Sequence, residues 1–158
     1  EAQVLELAAP LYDIGKIGLP DNVLLKPGLL DAAERSIVQR HVQIGHDILR
    51  ESSSRFVQLA ASIALTHHER WDGSGYPFGL SGEDIPMPAR IVAVADVFDA
   101  MSSDRAWRPA FAVDEVVGYI DSMRGRAFDP ACVDAFHRAL PRFMEIRRSF
   151  GGPLSAVP

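Results

Sequence analysis

Five histidine and aspartate side chains in this sequence of 158 residues fall among mostly apolar neighbours. They are Asp13, His41, His67, His68 and Asp96. An ionised carboxylate is costly to bury unless a metal or a partner charge compensates it. Neutral imidazoles and carboxylates are ligands for divalent manganese, iron and zinc. Together, these residues therefore predict a metal centre in the interior of the fold.

Each of these side chains, taken singly, also has an ordinary structural interpretation. A histidine on an apolar helix face, such as His41, can simply be a core residue that is hydrogen-bonded to a backbone carbonyl. Asp13 fits the end of a helix, and Asp96 fits an ion pair with a nearby arginine. This interpretation requires several independent and costly burials without a common benefit, so we prefer the metal centre.

Helical periodicity predicts the elements that carry these residues. A helix from Asp31 to about Leu49 begins with a capping box, in which Asp31 is the N-cap and Glu34 lies three residues later. Its apolar stripe is predicted to contain Ile37, His41, Ile44 and Ile48. Further helices are predicted over residues 56–68 and 88–101, and after N-caps at Asp114 and Asp129. No stretch alternates as a strand, so the predicted fold class is all-α.

The predicted helices form one domain. Turn-rich loops are expected over residues 20–28 and 71–88, and Pro10 is expected to interrupt the first helix just before Asp13. We assign residues 1–148 to the domain and residues 149–158 to a C-terminal tail. Because the chain starts within a helical pattern at Glu1 rather than at a methionine, we expect one or more helices to precede it.

The order of short motifs along the chain is specific. They are Tyr12-Asp13-Ile14-Gly15-Lys16, Lys26-Pro27-Gly28, His41 with Gly45, His67-His68-Glu69, Gly75-Tyr76-Pro77, the run from Arg90 to Asp96, and the run from Ser103 to Arg108. This series, over roughly residues 5–135, resembles the HD-GYP subfamily of HD-domain phosphohydrolases. The resemblance implies an HD-domain helical bundle with a metal site in its core.

The resemblance also implies an activity and a set of roles. It implies a phosphodiesterase that binds two, in some members three, divalent metals, usually iron or manganese, and hydrolyses cyclic di-GMP to pGpG or GMP. The implied metal ligands are Asp13, His41, His67, His68 and Asp96. Lys16 would contact the scissile phosphate, Gly75 and Tyr76 would shape the nucleotide pocket, and Arg105 and Arg108 would contact the dinucleotide. The implied partners are GGDEF-type domains or an upstream sensor or receiver domain.

Two departures from the family pattern leave a second function open. Tyr12 stands where the HD dipeptide has histidine. It is a further candidate ligand as a phenolate, but a phenol binds metal only after losing a proton of ordinary pKa near 10, so the alternatives are a Tyr12 behind a water molecule or an under-coordinated metal. Residues 1–9 contain no histidine to match the ligands that the family takes from an upstream helix. The alternative is a catalytically degenerate module that binds metal and cyclic di-GMP and signals through partner proteins.

The composition excludes several other classes of protein. The formal net charge is -5, with no basic patch of the kind that binds DNA or RNA. No apolar run approaches the roughly 20 residues that span a bilayer. Cys132 is the only cysteine, which is typical of a reducing compartment, so we expect a bacterial cytoplasmic protein.

Overall fold

The computed structural model describes residues 2–104 and 108–150, and its regular elements in these ranges are helices. The α-helices are α1 (Ala2–Ala8), α2 (Asp21–Leu24), α3 (Ala32–Gln39), α4 (His41–Leu49), α5 (Arg55–Thr66), α6 (Met87–Ser102), α7 (Val113–Ser122) and α8 (Pro130–Phe150). Short 3-10 helices span Ala9–Leu11, Ile14–Gly18 and Gly82–Asp84. The predicted all-α class is confirmed. The tail beyond residue 150 lies outside the described residues, so the domain boundary stays a prediction.

The predicted helix over residues 31–49 is two helices. Its capping box is confirmed: the Glu34 N–H donates to Asp31 Oδ1 at 2.8 Å, and the Asp31 N–H donates to Glu34 Oε2 at 2.9 Å. At Arg40 the chain tightens into a turn, and its N–H donates to the carbonyl of Ile37. This turn changes the phase of the apolar stripe. The buried residues of α4 are His41, Val42, Gly45 and Leu49, whereas Ile48 is 52% exposed.

Two other local predictions are corrected by the structure. The N-cap of α7 is Ala112 rather than Asp114, because Glu115 reaches back to accept the Ala112 N–H at 2.9 Å. The expected loop over residues 20–28 contains the short helix α2. Asp129 does cap α8, since its Oδ1 accepts the Ala131 N–H at 2.8 Å.

Two apolar clusters hold the helices together. One joins α1, α4 and α5 and includes Ala8, Leu49, Ala60, Ala61, Ile63 and Ala64. The other joins α6, α7 and α8 and includes Phe98, Val116, Ile120, Phe128, Val133 and Phe136. A buried ion pair between Arg90 and Asp129, with 2.7 Å between Nη1 and Oδ2, ties α6 to the start of α8.

The segment that carries Asp13 lies directly on the backbone of α4. As the proline at position 10 predicts, α1 ends at Ala8 and is followed by 3-10 turns. A Cβ atom on Gly15 would overlap the carbonyl oxygen of His41 and the amide of Gly45. Only glycine permits this approach, which brings Asp13 close to the first residue of α4.

Candidate metal centre

Four of the predicted metal ligands meet in the bundle interior. Asp13 precedes the 3-10 helix over Ile14–Gly18, His41 begins α4, and His67 and His68 follow the last residue of α5. One potential ligand atom from each of these four residues lies within 4.8 Å of the other three. We call this group the four-residue cluster. Its geometry brings together residues that lie 55 positions apart in the sequence.

Hydrogen bonds to the backbone orient two of the imidazoles in the cluster. His41 Nδ1 lies 2.7 Å from the carbonyl oxygen of Val38, and His67 Nδ1 lies 3.0 Å from that of Ile63. Because a carbonyl oxygen only accepts, each Nδ1 carries the proton and each Nε2 keeps its lone pair. The Nε2 atoms of His41 and His67 lie 3.4 and 3.9 Å from Asp13 Oδ1.

Three buried atoms of the cluster have no hydrogen-bond partner within the described residues: Asp13 Oδ1, His41 Nε2 and His67 Nε2. Buried polar atoms are almost always paired, so three unpaired acceptors that point at one another need a common positive partner. A divalent cation satisfies all three at once. The residues present therefore fit a metal ion. If His41 and His67 were ordinary core residues, their buried Nε2 atoms would have hydrogen-bond partners, and they have none within the described residues.

Burial keeps the three imidazoles of the cluster in the neutral form that binds metal. Desolvation lowers the pKa of His41 and of His67 below 6.5, even though nearby carboxylates oppose the shift. It lowers the pKa of His68 to about 2, with further contributions from His67 and His41. At neutral pH these rings are therefore available as ligands without first losing a proton.

Lys16 lies beside the cluster. Its Nζ donates to Asp13 Oδ2, which leaves Asp13 Oδ1 to face the histidines. The Lys16 side chain is 42% exposed, so its ammonium stands between the cluster and solvent. A cation in this place can also reach an anionic ligand that approaches the cluster.

Asp96, the fifth predicted ligand, lies outside the four-residue cluster. Its Oδ1 accepts a hydrogen bond from Tyr12 Oη at 2.8 Å. The pKa of Tyr12 is raised above its ordinary value, first by burial and then by the charge of Asp96, so this phenol keeps its proton. Tyr12 is thus a hydrogen-bond donor to Asp96, and Asp96 lines the cleft beside His67 and His68.

The loop with Gly75-Tyr76-Pro77 packs against His68 and Glu69. A Cβ atom on Gly75 would come within 2.6 Å of the Glu69 Cα and of the His68 carbonyl oxygen, so this position requires glycine. The Tyr76 ring stacks on the His68 ring with 4.9 Å between centroids. Both predicted pocket residues line the same cleft as His68.

Glu69 is a functional candidate to which the sequence analysis gave no role. Glu69 is 3% exposed as a residue, and its carboxylate accepts the backbone N–H groups of Phe78 at 2.7 Å and Leu80 at 3.0 Å. It therefore fastens the loop that carries Tyr76 to the residue that follows His68. Its place directly after two predicted ligands was the available sequence signal.

Of the two predicted arginines, Arg108 is described, and it binds away from the cluster. Arg108 donates to the carbonyl oxygens of Ala100 at 2.9 Å and Pro109 at 3.1 Å, and its guanidinium stacks over Phe111. It therefore binds the C-terminal end of α6. Arg105 lies outside the described residues. The other two histidines, His46 and His137, lie apart from the cluster, and His137 pairs with Asp121 at the surface.

The cleft beside the cluster is open to solvent. Its walls combine ligand residues with residues of α6, α7 and the loop. They include His67, His68, Tyr76, Asp96, Tyr119 and Phe128. A polar cleft with aromatic walls, next to a candidate metal position, is suited to a ligand that has both anionic groups and flat rings.

The chain is similar to known proteins in sequence and in fold. A family model described as "HD domain" matches residues 1–132. The chain is 53% identical over 150 residues to the cyclic di-GMP phosphodiesterase response regulator RpfG of Xanthomonas campestris pv. campestris, covering 95% of this chain and 40% of that protein. It is 49% identical over 144 residues to a cyclic di-GMP phosphodiesterase of Thermotoga maritima, covering 91% and 39%.

Two proteins of Vibrio cholerae extend the comparison. The chain is 44% identical over 149 residues to 3'3'-cGAMP-specific phosphodiesterase 2, covering 94% of this chain and 28% of that protein. The crystal structure of a cyclic GMP-AMP specific phosphodiesterase, V-cGAP3, has a TM-score of 0.63 at 23% identity, covering 90% of this chain and 39% of that one, which confirms the fold.

The chain spans less than half the length of each of these proteins. No helix within residues 2–104 and 108–150 is both long and apolar enough to cross a membrane. The family match covers most of the chain, and the motifs that surround the cluster follow in the family's order. The chain therefore belongs to the HD domain family and, within it, to the HD-GYP group.

Proposed function

We propose that this chain is the catalytic domain of a metal-dependent phosphodiesterase that hydrolyses cyclic di-GMP to pGpG, GMP or both. The observation that carries the proposal is the convergence of three buried, unpaired ligand atoms beside an open cleft. Relatives that are 40–53% identical and are named as cyclic di-GMP or 3'3'-cGAMP phosphodiesterases support the substrate class. A cyclic dinucleotide has the anionic groups and flat rings that this cleft suits.

The proposed metal is iron or manganese, held by Asp13, His41, His67 and His68. When bound by these residues, a divalent ion would activate water for attack on phosphorus and would offset the charge that develops on the phosphate oxygens. The resemblance implies two or three ions, and the four-residue cluster supplies the ligands of one position.

The chain's own side chains then bind and orient the substrate. We propose that Lys16 shares its ammonium between Asp13 and a non-bridging oxygen of the phosphodiester, where a cation stabilises the negative charge of the transition state. Tyr76, held against His68, forms one wall for a nucleotide base. Direct phosphate or guanine contacts by Arg105 and Arg108 remain predictions from the resemblance, and for Arg108 they require release from the end of α6.

The test is reconstitution followed by product analysis. The metal-free chain is loaded anaerobically with iron(II) or manganese(II) and incubated with cyclic di-GMP or 3'3'-cGAMP. We expect metal-dependent formation of linear dinucleotide or mononucleotide, separated by chromatography. Asp13→Asn abolishes this product, whereas Asp47→Asn, at a surface position with 49% exposure, retains it. Intact substrate in the presence of bound metal contradicts the proposal.

A second candidate function rests on the hydrogen bond between Tyr12 and Asp96. If the site needs Asp96 as a ligand for turnover, the chain is a module that binds metal and cyclic di-GMP without hydrolysing it. It then signals through GGDEF-type domains or through an attached sensor or receiver domain in the bacterial cytoplasm. Dinucleotide binding without product, converted to turnover by Tyr12→His, distinguishes this function from the first.

A further inference from the structure

Asp96 and the four-residue cluster differ in how their polar atoms are satisfied. Asp13 Oδ1, His41 Nε2 and His67 Nε2 are buried without a hydrogen-bond partner. Asp96 Oδ1 has one, the Tyr12 hydroxyl at 2.8 Å. The three unpaired atoms need a cation, whereas the paired oxygen of Asp96 already has a donor directed at it.

We propose that Tyr12 withholds Asp96 from metal coordination, so that this chain binds a single divalent ion at the four-residue cluster. Tyr12 then determines the number of ions. The proposal rests on the metal centre of the proposed function, but it does not depend on hydrolysis of any substrate.

The position of the Tyr12 ring is fixed from two sides. The ring makes a T-shaped contact with the His67 ring, with 5.0 Å between centroids, and it packs against the apolar cluster of α1, α4 and α5. The hydroxyl is therefore held at Asp96 by packing as well as by the hydrogen bond. The Tyr12 hydroxyl therefore competes with a metal ion for the lone pairs of Asp96 Oδ1.

A pair of metal ions needs ligands for both positions. Ions in such sites lie about 3.5–4 Å apart and share a bridging ligand. Within residues 2–104 and 108–150, the only group of histidine, cysteine and carboxylate side chains with metal-binding spacing is the four-residue cluster. A histidine at position 12 would provide an additional nitrogen ligand and would release Asp96, whereas the tyrosine does neither.

The experiment counts ions rather than product. The metal-free chain is dialysed to equilibrium against manganese(II), and bound metal is measured by mass spectrometry. Electron paramagnetic resonance then separates an isolated ion from a coupled pair. We expect one isolated ion in the native chain and two coupled ions in Tyr12→His. Both proteins have the same ends, so any ligand from outside the chain is equally absent from both.

Asp96→Asn gives an independent test in each background. In the native chain we expect it to leave the count at one and the dissociation constant within about threefold, because Asp96 is not a ligand there. In Tyr12→His we expect it to remove the second ion. Asp99→Asn, an exposed aspartate one turn further along α6, is the matched control and changes neither count. Asp13→Asn loses the ion in both backgrounds.

Three results overturn the proposal. They are two ions in the native chain, a count that stays at one in Tyr12→His, or loss of the native ion in Asp96→Asn. If thermal melts show that Tyr12→His is unfolded, the native count and the Asp96→Asn comparison decide the matter alone. A chain that holds one ion but hydrolyses no cyclic dinucleotide refutes the proposed activity and leaves this inference standing. A chain that binds no ion refutes both.

Discussion

Replacing Glu69 with glutamine tests how the loop over the cleft is held. The Glu69 carboxylate accepts the backbone N–H groups of Phe78 at 2.7 Å and Leu80 at 3.0 Å, and Glu69 is 3% exposed as a residue. Glutamine has the same shape but only one accepting oxygen. Its NH₂ group faces one of the two amides as a second donor. We therefore expect the loop to open more often while the helices stay folded.

The magnitude follows from the two hydrogen bonds. A hydrogen bond to a charged group contributes about 1.5–3 kcal/mol, and a buried donor left unpaired costs about 1–3 kcal/mol. Loss of one bond and weakening of the other should therefore lower the free energy of local opening of the loop by about 2–3 kcal/mol. Since about 1.4 kcal/mol is a factor of ten, the protection of these amides against hydrogen exchange falls roughly 30- to 150-fold.

Amide hydrogen exchange measured by NMR at Phe78 and Leu80 is the assay. Glu83→Gln is the matched control, because Glu83 is exposed and lies in the same loop. It is expected to leave protection unchanged. Metal binding by Glu69→Gln also stays close to native, since Glu69 is not in the four-residue cluster. Protection at both amides within about threefold of native means that Glu69 does not fasten the loop, and refutes the reasoning.

Three further predictions concern stability. Gly15→Ala places a Cβ atom on the backbone of α4, so we expect the free energy of unfolding in urea to fall by about 1–3 kcal/mol. Gly118 has open space around it, so Gly118→Ala is expected to raise the same free energy by about 0.5–1 kcal/mol. Equal effects of the two substitutions contradict this packing. Manganese(II) at about 100 times its dissociation constant is expected to raise the free energy of unfolding by about 2.7 kcal/mol, and Asp13→Asn to remove the gain; a gain retained in the variant places the ion elsewhere. Burial lowers the folded-state pKa of the three cluster histidines (to about 2 for His68), so below about pH 6.5 the unfolded chain binds more protons. The metal-free stability is therefore full above that pH and falls as the pH drops below it, by up to about 1.4 kcal/mol per pH unit per histidine, and a flat profile between about pH 6.5 and 5 in urea unfolding contradicts burial of neutral rings.

Features that depend on local sequence were predictable from the chain alone. The capping box of Asp31 and Glu34, the cap of α8 at Asp129 and the interruption at Pro10 each involve residues within a few positions of one another. The cluster of Asp13 with three histidines was also predictable, because four polar side chains in apolar surroundings share one explanation.

Apart from the cluster, features that depend on long-range or backbone contacts were not predictable. The turn at Arg40 sets the buried face of α4, and nothing in the periodicity of residues 31–49 marks it. Asp96 and Tyr12 are 84 positions apart, so their hydrogen bond could not be read from spacing. The position of Arg108 could not be predicted either. Its guanidinium binds a backbone carbonyl at the end of α6, and any residue type provides such a carbonyl.

The carbonyl partners of His41 and His67 have a consequence for how the site meets a metal ion. Because the backbone holds Nδ1 of each ring, the tautomer and the ring orientation are chosen before an ion arrives. The two side chains then lose little conformational entropy when they bind the ion, and neither ring releases a proton at neutral pH. We therefore expect these two rings to release no protons to the buffer when the ion binds. Their contribution to the calorimetric enthalpy of binding should be the same in buffers of different ionisation enthalpy. In this chain, much of the entropic cost of assembling the metal site belongs to folding rather than to metal binding.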